Sequence, residues 1–101
     1  MLEFHRQILK QFEPVGRNAK IILFGSLAKG NYRLDSDIDL AIVTKDRRVM
    51  RWASKIADKI LAEQGKLITL KFIAEEELEK GKNPIIEEIR KGIVIYNGRR
   101  R

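Results

Sequence analysis

The side chains best able to do chemistry fall in one stretch. Phe24-Gly25-Ser26-Leu27-Ala28-Lys29-Gly30 is followed by the loop Asn31–Ser36 and then by Asp37-Ile38-Asp39-Leu40. An apolar run ends at Phe24. Gly25 lets the backbone turn tightly and come close to a ligand. Ser26 follows where a short helix is expected to begin, and free N–H groups at such a point attract anions. Lys29 adds a mobile cation and Gly30 a second hinge. Asp37 and Asp39 stand at i and i+2 of an expected strand, so both carboxylates should project from one face. Like charges that close repel each other, and a divalent cation relieves the repulsion. Hard carboxylate oxygens suit magnesium. A phosphate cradle beside a magnesium site is the apparatus of nucleotide chemistry.

Three other motifs share parts of this pattern, and each fails. Gly25 and Gly30 have the spacing of a Walker A loop, but Asn31-Tyr32 stands where lysine and a hydroxyl are required. The dinucleotide fingerprint needs a glycine where Leu27 lies. Asp35, Asp37 and Asp39 imitate the start of a calcium loop, with Asp46 at the closing position. Leu40 replaces the glycine that such a loop needs for its turn.

The flanking elements must position these residues. Phe4, Ile8 and Phe12 recur every four residues with Leu9 beside them, a helical stripe that Pro14 should stop. Ile21–Phe24 reads as a buried strand and Ile38–Val43 as a second. Val49, Trp52, Ala53, Ile56, Ala57, Ile60 and Leu61 match the i, i+3, i+4 pattern of a long helix, with Gly65 as its stop. Leu67–Ile73 alternates as a third strand, with Leu67, Thr69, Lys71 and Ile73 on one face. Ala74–Lys80 reads as a short acidic helix ended by Gly81. Asn83-Pro84 opens another as N-cap and first helical residue, with Gly92 as its end. Ile93–Tyr96 reads as a last strand. The mixture predicts an α+β fold, a small mixed sheet with helices packed mainly on one face. Residues 1–98 form one domain in this reading, and Arg99 to Arg101 a basic tail.

Composition narrows the function classes. The 101 residues hold 21 Lys and Arg against 14 Asp and Glu, a net charge of +7, which suits phosphate ligands, nucleic acid or an acidic partner. With no cysteine there is no disulfide framework, thiolate metal site or cysteine nucleophile. A single histidine, His5, excludes histidine-rich zinc sites. No apolar run is long enough to span a membrane, and the first residues lack the order of a signal peptide. A cytoplasmic location is the resulting expectation.

Gly25-Ser26-x-Ala28-x-Gly30, a short gap and Ser36-Asp37-Ile38-Asp39-Leu40 together resemble the signature of the DNA polymerase beta-like nucleotidyltransferases. The short chain resembles the minimal nucleotidyltransferases of that superfamily. The resemblance implies that Asp37 and Asp39 are catalytic and hold Mg2+. It assigns Gly25, Ser26, Lys29, Gly30 and Ser36 to the nucleotide, ATP or another NTP, with Ser26 bonding a phosphate oxygen. A nucleoside monophosphate would pass to a hydroxyl acceptor as pyrophosphate leaves, with metal ions stabilising both oxygens. Lys29 stands where the family usually has arginine, and supplies charge without a bidentate fork. The resemblance also implies a partner, a HEPN-domain protein to which such chains serve as antitoxin.

One departure bears on activity. Family members present a third carboxylate from the next core strand, and counting back from Ala74 puts that position on Thr69, with Lys71 on the same face. Either Glu75, Glu76 or Glu77 reaches in, or a partner or the substrate supplies the ligand, or the chain is a weak or inactive homologue that binds nucleotide or a HEPN protein. A third function, nucleic-acid binding, rests on Arg47, Arg51, Lys55 and Lys59, a basic stripe on the long helix. With Asp58 inside it, a solvated helix face is the plainer reading. Trp52 lies in the apolar stripe and is expected in the core, and His5 is expected at the surface. Tyr32 is placed to stack on a base or to shield its loop. Oligomeric state stays open, a homo-oligomer included.

Overall fold

The computed structural model describes residues 2–31 and 33–98. Tyr32 and the arginine tail lie outside the described residues. Four strands form one sheet in the order β3-β2-β1-β4. They are β1 (Lys20–Phe24), β2 (Ile38–Val43), β3 (Ile68–Ile73) and β4 (Ile93–Asn97). β1 runs antiparallel to β2 and β4, while β2 and β3 are parallel, so the sheet is mixed as expected. The parallel pair needs a crossover, and α3 (Arg47–Gln64) supplies it. Asp46 caps α3 by accepting from the Arg48 amide at 2.9 Å. Gly65 ends it at φ 69, in the left-handed region where glycine carries no penalty.

Strand alternation sends side chains to two faces, and each face is buried separately. Ile21, Leu23, Ile38, Leu40 and Ile42 point to the larger core. It is covered by α3 together with α1 (Glu3–Lys10) and α2 (Glu13–Gly16). Ile22, Phe24, Ala41, Val43 and Ile73 point the other way, onto α4 (Glu75–Lys80) and α5 (Pro84–Arg90). These last helices are short and leave part of that face open. Asp39 and Thr69 lie on this second face, and the opening above them becomes the site.

Three expectations are corrected in the helices. Pro14 does not simply stop the first helix. It sits in the first turn of α2, where its missing N–H is no loss. Trp52 is 44% exposed, not core. At about 100° per residue it lies roughly 90° from the line through Val49, Ala53, Ala57 and Ile60, which face the sheet. His5 is fully buried, not superficial. The stripe of α1 is His5, Ile8 and Leu9, continued by Phe12, which turns Phe4 toward solvent.

Neither ring nitrogen of His5 has a hydrogen-bond partner among the described residues. Burial, and then the Lys66 charge, hold its pKa below the ordinary 6.5. The unfolded chain therefore takes up a proton that the folded chain resists. Stability is full above 6.5 and declines as pH falls below it toward the depressed folded value. Urea unfolding should show this loss in the wild type and a flatter acid limb in His5→Leu. Parallel acid limbs would contradict it.

Candidate active site

The antiparallel register of β1 and β2 sets Phe24 opposite Asp39. The chain then bends at Gly25, whose φ of 80 lies in the region that L side chains avoid. A Cβ at Gly25 would run into Asp39 Oδ2, so the bend passes directly over that carboxylate. Leu27 is buried in the larger core and anchors the loop. Where a short helix was expected, hydrogen-bonded turns hold residues 25–31. Their amides include Lys29 to Ser26 O at 3.1 Å and Asn31 to Ser26 O at 3.0 Å. Among the described residues the amides of Ser26, Leu27 and Ala28 have no backbone partner in the turn.

The parallel register of β2 and β3 puts Thr69 beside Asp39, and Lys71 beside Ala41. Asp39, Thr69, Lys71, Gly25 and Phe24 line a cleft of about 560 Å³, with Ile85 and Glu88 of α5 as the opposite wall. Burial raises the pKa of Asp39 above 3.8, and the charges of Asp37 and Glu88 push the same way. The Thr69 side chain opposes them by hydrogen bonding. Lys71 thus stands in the same cleft as Asp39. Glu75, Glu76 and Glu77 do not line the cleft. They open α4 beyond the far end of β3, where Glu76 pairs with Lys45 at 3.4 Å and Glu77 accepts from the Ala74 amide.

The sequence-predicted residues do not all meet in one place. Gly25 and Asp39 share the cleft. Asp37 precedes β2, is exposed, and borders a different hollow of about 630 Å³ that also touches Phe4, Leu34 and Leu67. Its charge still reaches Asp39. Ser26 and Gly30 are exposed on the turn, Gly30 with φ 95 and open space around it. Lys29 pairs with Glu88, Nζ to Oε2 at 3.0 Å. Ser36 is buried, and its hydroxyl donates to Asn31 O at 3.5 Å, so it braces the loop.

Two residues that sequence reasoning passed over bear on the site. Glu88 faces Asp39 from α5. Its only signal was i+3 spacing from Ile85, which puts both on one edge of the helix. Lys66 is 7% exposed, and its ammonium donates to Leu34 O at 2.6 Å and Ser36 O at 2.7 Å. It thereby ties down the segment that delivers Asp37. The basic stripe Arg47, Arg51, Lys55 and Lys59 is exposed on α3, across the sheet from the cleft.

A family model described as a nucleotidyltransferase domain matches residues 2–95. The chain belongs to the nucleotidyltransferase domain family. No curated protein sequence matches it. Among solved structures, a toxin–antitoxin complex with AMP-PNP contains a chain of TM-score 0.61 and 22% identity, covering 95% of this chain and 74% of that one. A mutant of the toxin–antitoxin MntA–HpeT has TM-score 0.57 and 20% identity, over 91% and 71% of the two chains. A second MntA–HpeT mutant has TM-score 0.60 and 22% identity, over 96% and 74%. At these identities the likeness is one of fold, and the mixed sheet described above is the nucleotidyltransferase fold.

In this nucleotidyltransferase domain the glycine bend and the Lys66 tie can be tested apart. Gly25→Ala adds about 1–2 kcal/mol of backbone strain and displaces the Asp39 carboxylate. Gly30→Ala adds strain of the same kind without touching Asp39. Fluorescent nucleotide titration should show binding lost in Gly25→Ala and largely kept in Gly30→Ala. Equal losses would contradict the role given to Gly25. Lys66→Met removes two charge-assisted bonds and should cost about 1.5–3 kcal/mol in urea unfolding. A loss within error of zero would show that the tie is not formed.

Proposed function

We propose that the chain is a magnesium-dependent nucleotidyltransferase. It transfers NMP from an NTP, ATP by preference, to a hydroxyl on a HEPN-domain protein for which it acts as antitoxin. The observation that carries this reading is the Gly25 bend lying on the Asp39 carboxylate, with the charge of Asp37 close by. Membership of the nucleotidyltransferase domain family supports transfer of a nucleotide. The fold shared with toxin–antitoxin structures, one holding AMP-PNP, supports the nucleotide and the partner.

The donor set fits magnesium in part. Among the described residues no three His, Cys, Asp or Glu side chains converge tightly enough to hold a metal ion. Magnesium, however, is usually held by one or two carboxylates plus substrate phosphates. Asp37 and Asp39 are such a pair: burial first, and then the charge of Asp37, raise the pKa of Asp39, and a cation would offset the second of these. When bound, the ion supplies positive charge against the negative charge that builds at the reacting phosphorus. The chain's own groups do the positioning. Gly25 lets the backbone approach the phosphates, Ser26 offers a hydroxyl and Lys29 a charge. Lys71 adds a second cation within the cleft.

A second reading has a specific basis. Thr69 pairs with Asp39 and Lys71 with Ala41 on the same face, and neither is a carboxylate. A chain of this kind could bind nucleotide or a HEPN protein without transfer. Labelled ATP, magnesium and a HEPN-domain protein encoded by a neighbouring gene separate the two. Transfer predicts label on the partner that falls about 100-fold or more in Asp37→Asn and Asp39→Asn. A stable complex without label, indifferent to both changes, would overturn the transferase in favour of the binding module.

A further inference from the structure

Resting on the transferase reading, the acceptor hydroxyl must lose its proton to a group in the cleft. Thr69 and Lys71 offer a hydroxyl and an ammonium, and an ammonium has no lone pair to give. Among the described lining residues the carboxylates are Asp39 and Glu88. Asp39 is engaged in that reading with the cation and lies beneath the glycine bend. Glu88 has no such engagement.

Glu88 stands where two hollows meet. One is the cleft of about 560 Å³ that holds Asp39. The other, about 210 Å³, is lined by Gly25, Ala28, Lys29 and Lys91 as well as Glu88. The second hollow therefore brings two lysines to the glycine bend, which suits the phosphate end of a nucleotide. Lys29 spans from that bend to Glu88 at 3.0 Å, with side chains 70% and 35% exposed. So exposed a pair is weak. A triphosphate carries more negative charge than one carboxylate, and it competes for Lys29 with advantage.

We propose that Glu88 is the base for the acceptor hydroxyl, and that Lys29 masks it until the phosphates of a nucleotide draw Lys29 away. The Glu88 carboxylate then accepts the hydroxyl proton as the acceptor oxygen bonds to the α-phosphorus. The bond from that phosphorus to its bridging oxygen breaks, and the electron pair leaves with pyrophosphate. The masking has a purpose in this scheme. Proton abstraction becomes available only in the presence of the nucleotide that makes it useful.

The test uses the full chain, a fluorescent AMP-PNP derivative for binding, and labelled ATP with the HEPN-domain protein for transfer. Glu88→Gln should bind the analogue about two- to five-fold tighter, because Lys29 is released. The same variant should transfer about 100-fold more slowly. Added formate should restore transfer to Glu88→Ala, which a merely structural role would not allow. The tightened binding also shows that the variant is folded. Unchanged or weaker binding by Glu88→Gln overturns the mask. Wild-type transfer by Glu88→Gln, or no rescue of Glu88→Ala by formate, overturns the base. If Glu88→Gln is active while Asp39→Asn is dead, Glu88 alone is refuted. A wild-type chain that transfers nothing refutes the transferase reading, and the base with it.

Discussion

The close approach of a backbone bend to a carboxylate governs this molecule. β1 and β2 pair so that Phe24 faces Asp39, and the next residue has no side chain. Any Cβ at Gly25 would occupy the space of Asp39 Oδ2. The sheet register thus determines where phosphates would meet the acid. Leu27 buried below the turn and the hydrogen bonds across residues 25–31 hold the bend in place. The same register brings Thr69 alongside Asp39, and the short helix α5 forms the opposite wall.

Charge in the cleft is arranged around that contact. Asp39 is pressed by desolvation and by two other acids, and its carboxyl is held above the usual range. Lys71 enters from β3, while Lys29 is drawn to Glu88. Outside the cleft, Lys66 is set against the backbone carbonyls of Leu34 and Ser36. The geometry of Asp37 therefore depends on a residue far along the chain, at the threshold of β3.

The legible parts were those written in local pattern. Ile38–Val43 has the bounds expected of it, and α3 ends at Gly65 because a left-handed residue is needed there. Counting along β3 placed Thr69 and Lys71 on the face of Asp39 because alternation is strict in a regular strand. The cap that Asp46 gives α3 and the depth of His5 emerge only in the structure. A helical stripe one residue out of phase exchanges Phe4 for His5, and a narrow buried stripe leaves Trp52 outside. Glu88 and Lys66 were illegible for a different reason. Both act across tertiary contacts, and nothing near them in sequence points to Asp39 or to the loop before Asp37. Asp37 was expected to share a face with Asp39, but it precedes β2, where strand alternation no longer fixes its direction.

The most direct measurement is a crystal structure of the chain with AMP-PNP and manganese, recorded at the manganese absorption edge. The account predicts an anomalous peak within about 2.2 Å of carboxylate oxygens of both Asp37 and Asp39, with the phosphates against the Gly25–Ser26 backbone. A nucleotide bound elsewhere, or a metal peak that touches neither aspartate, would contradict it.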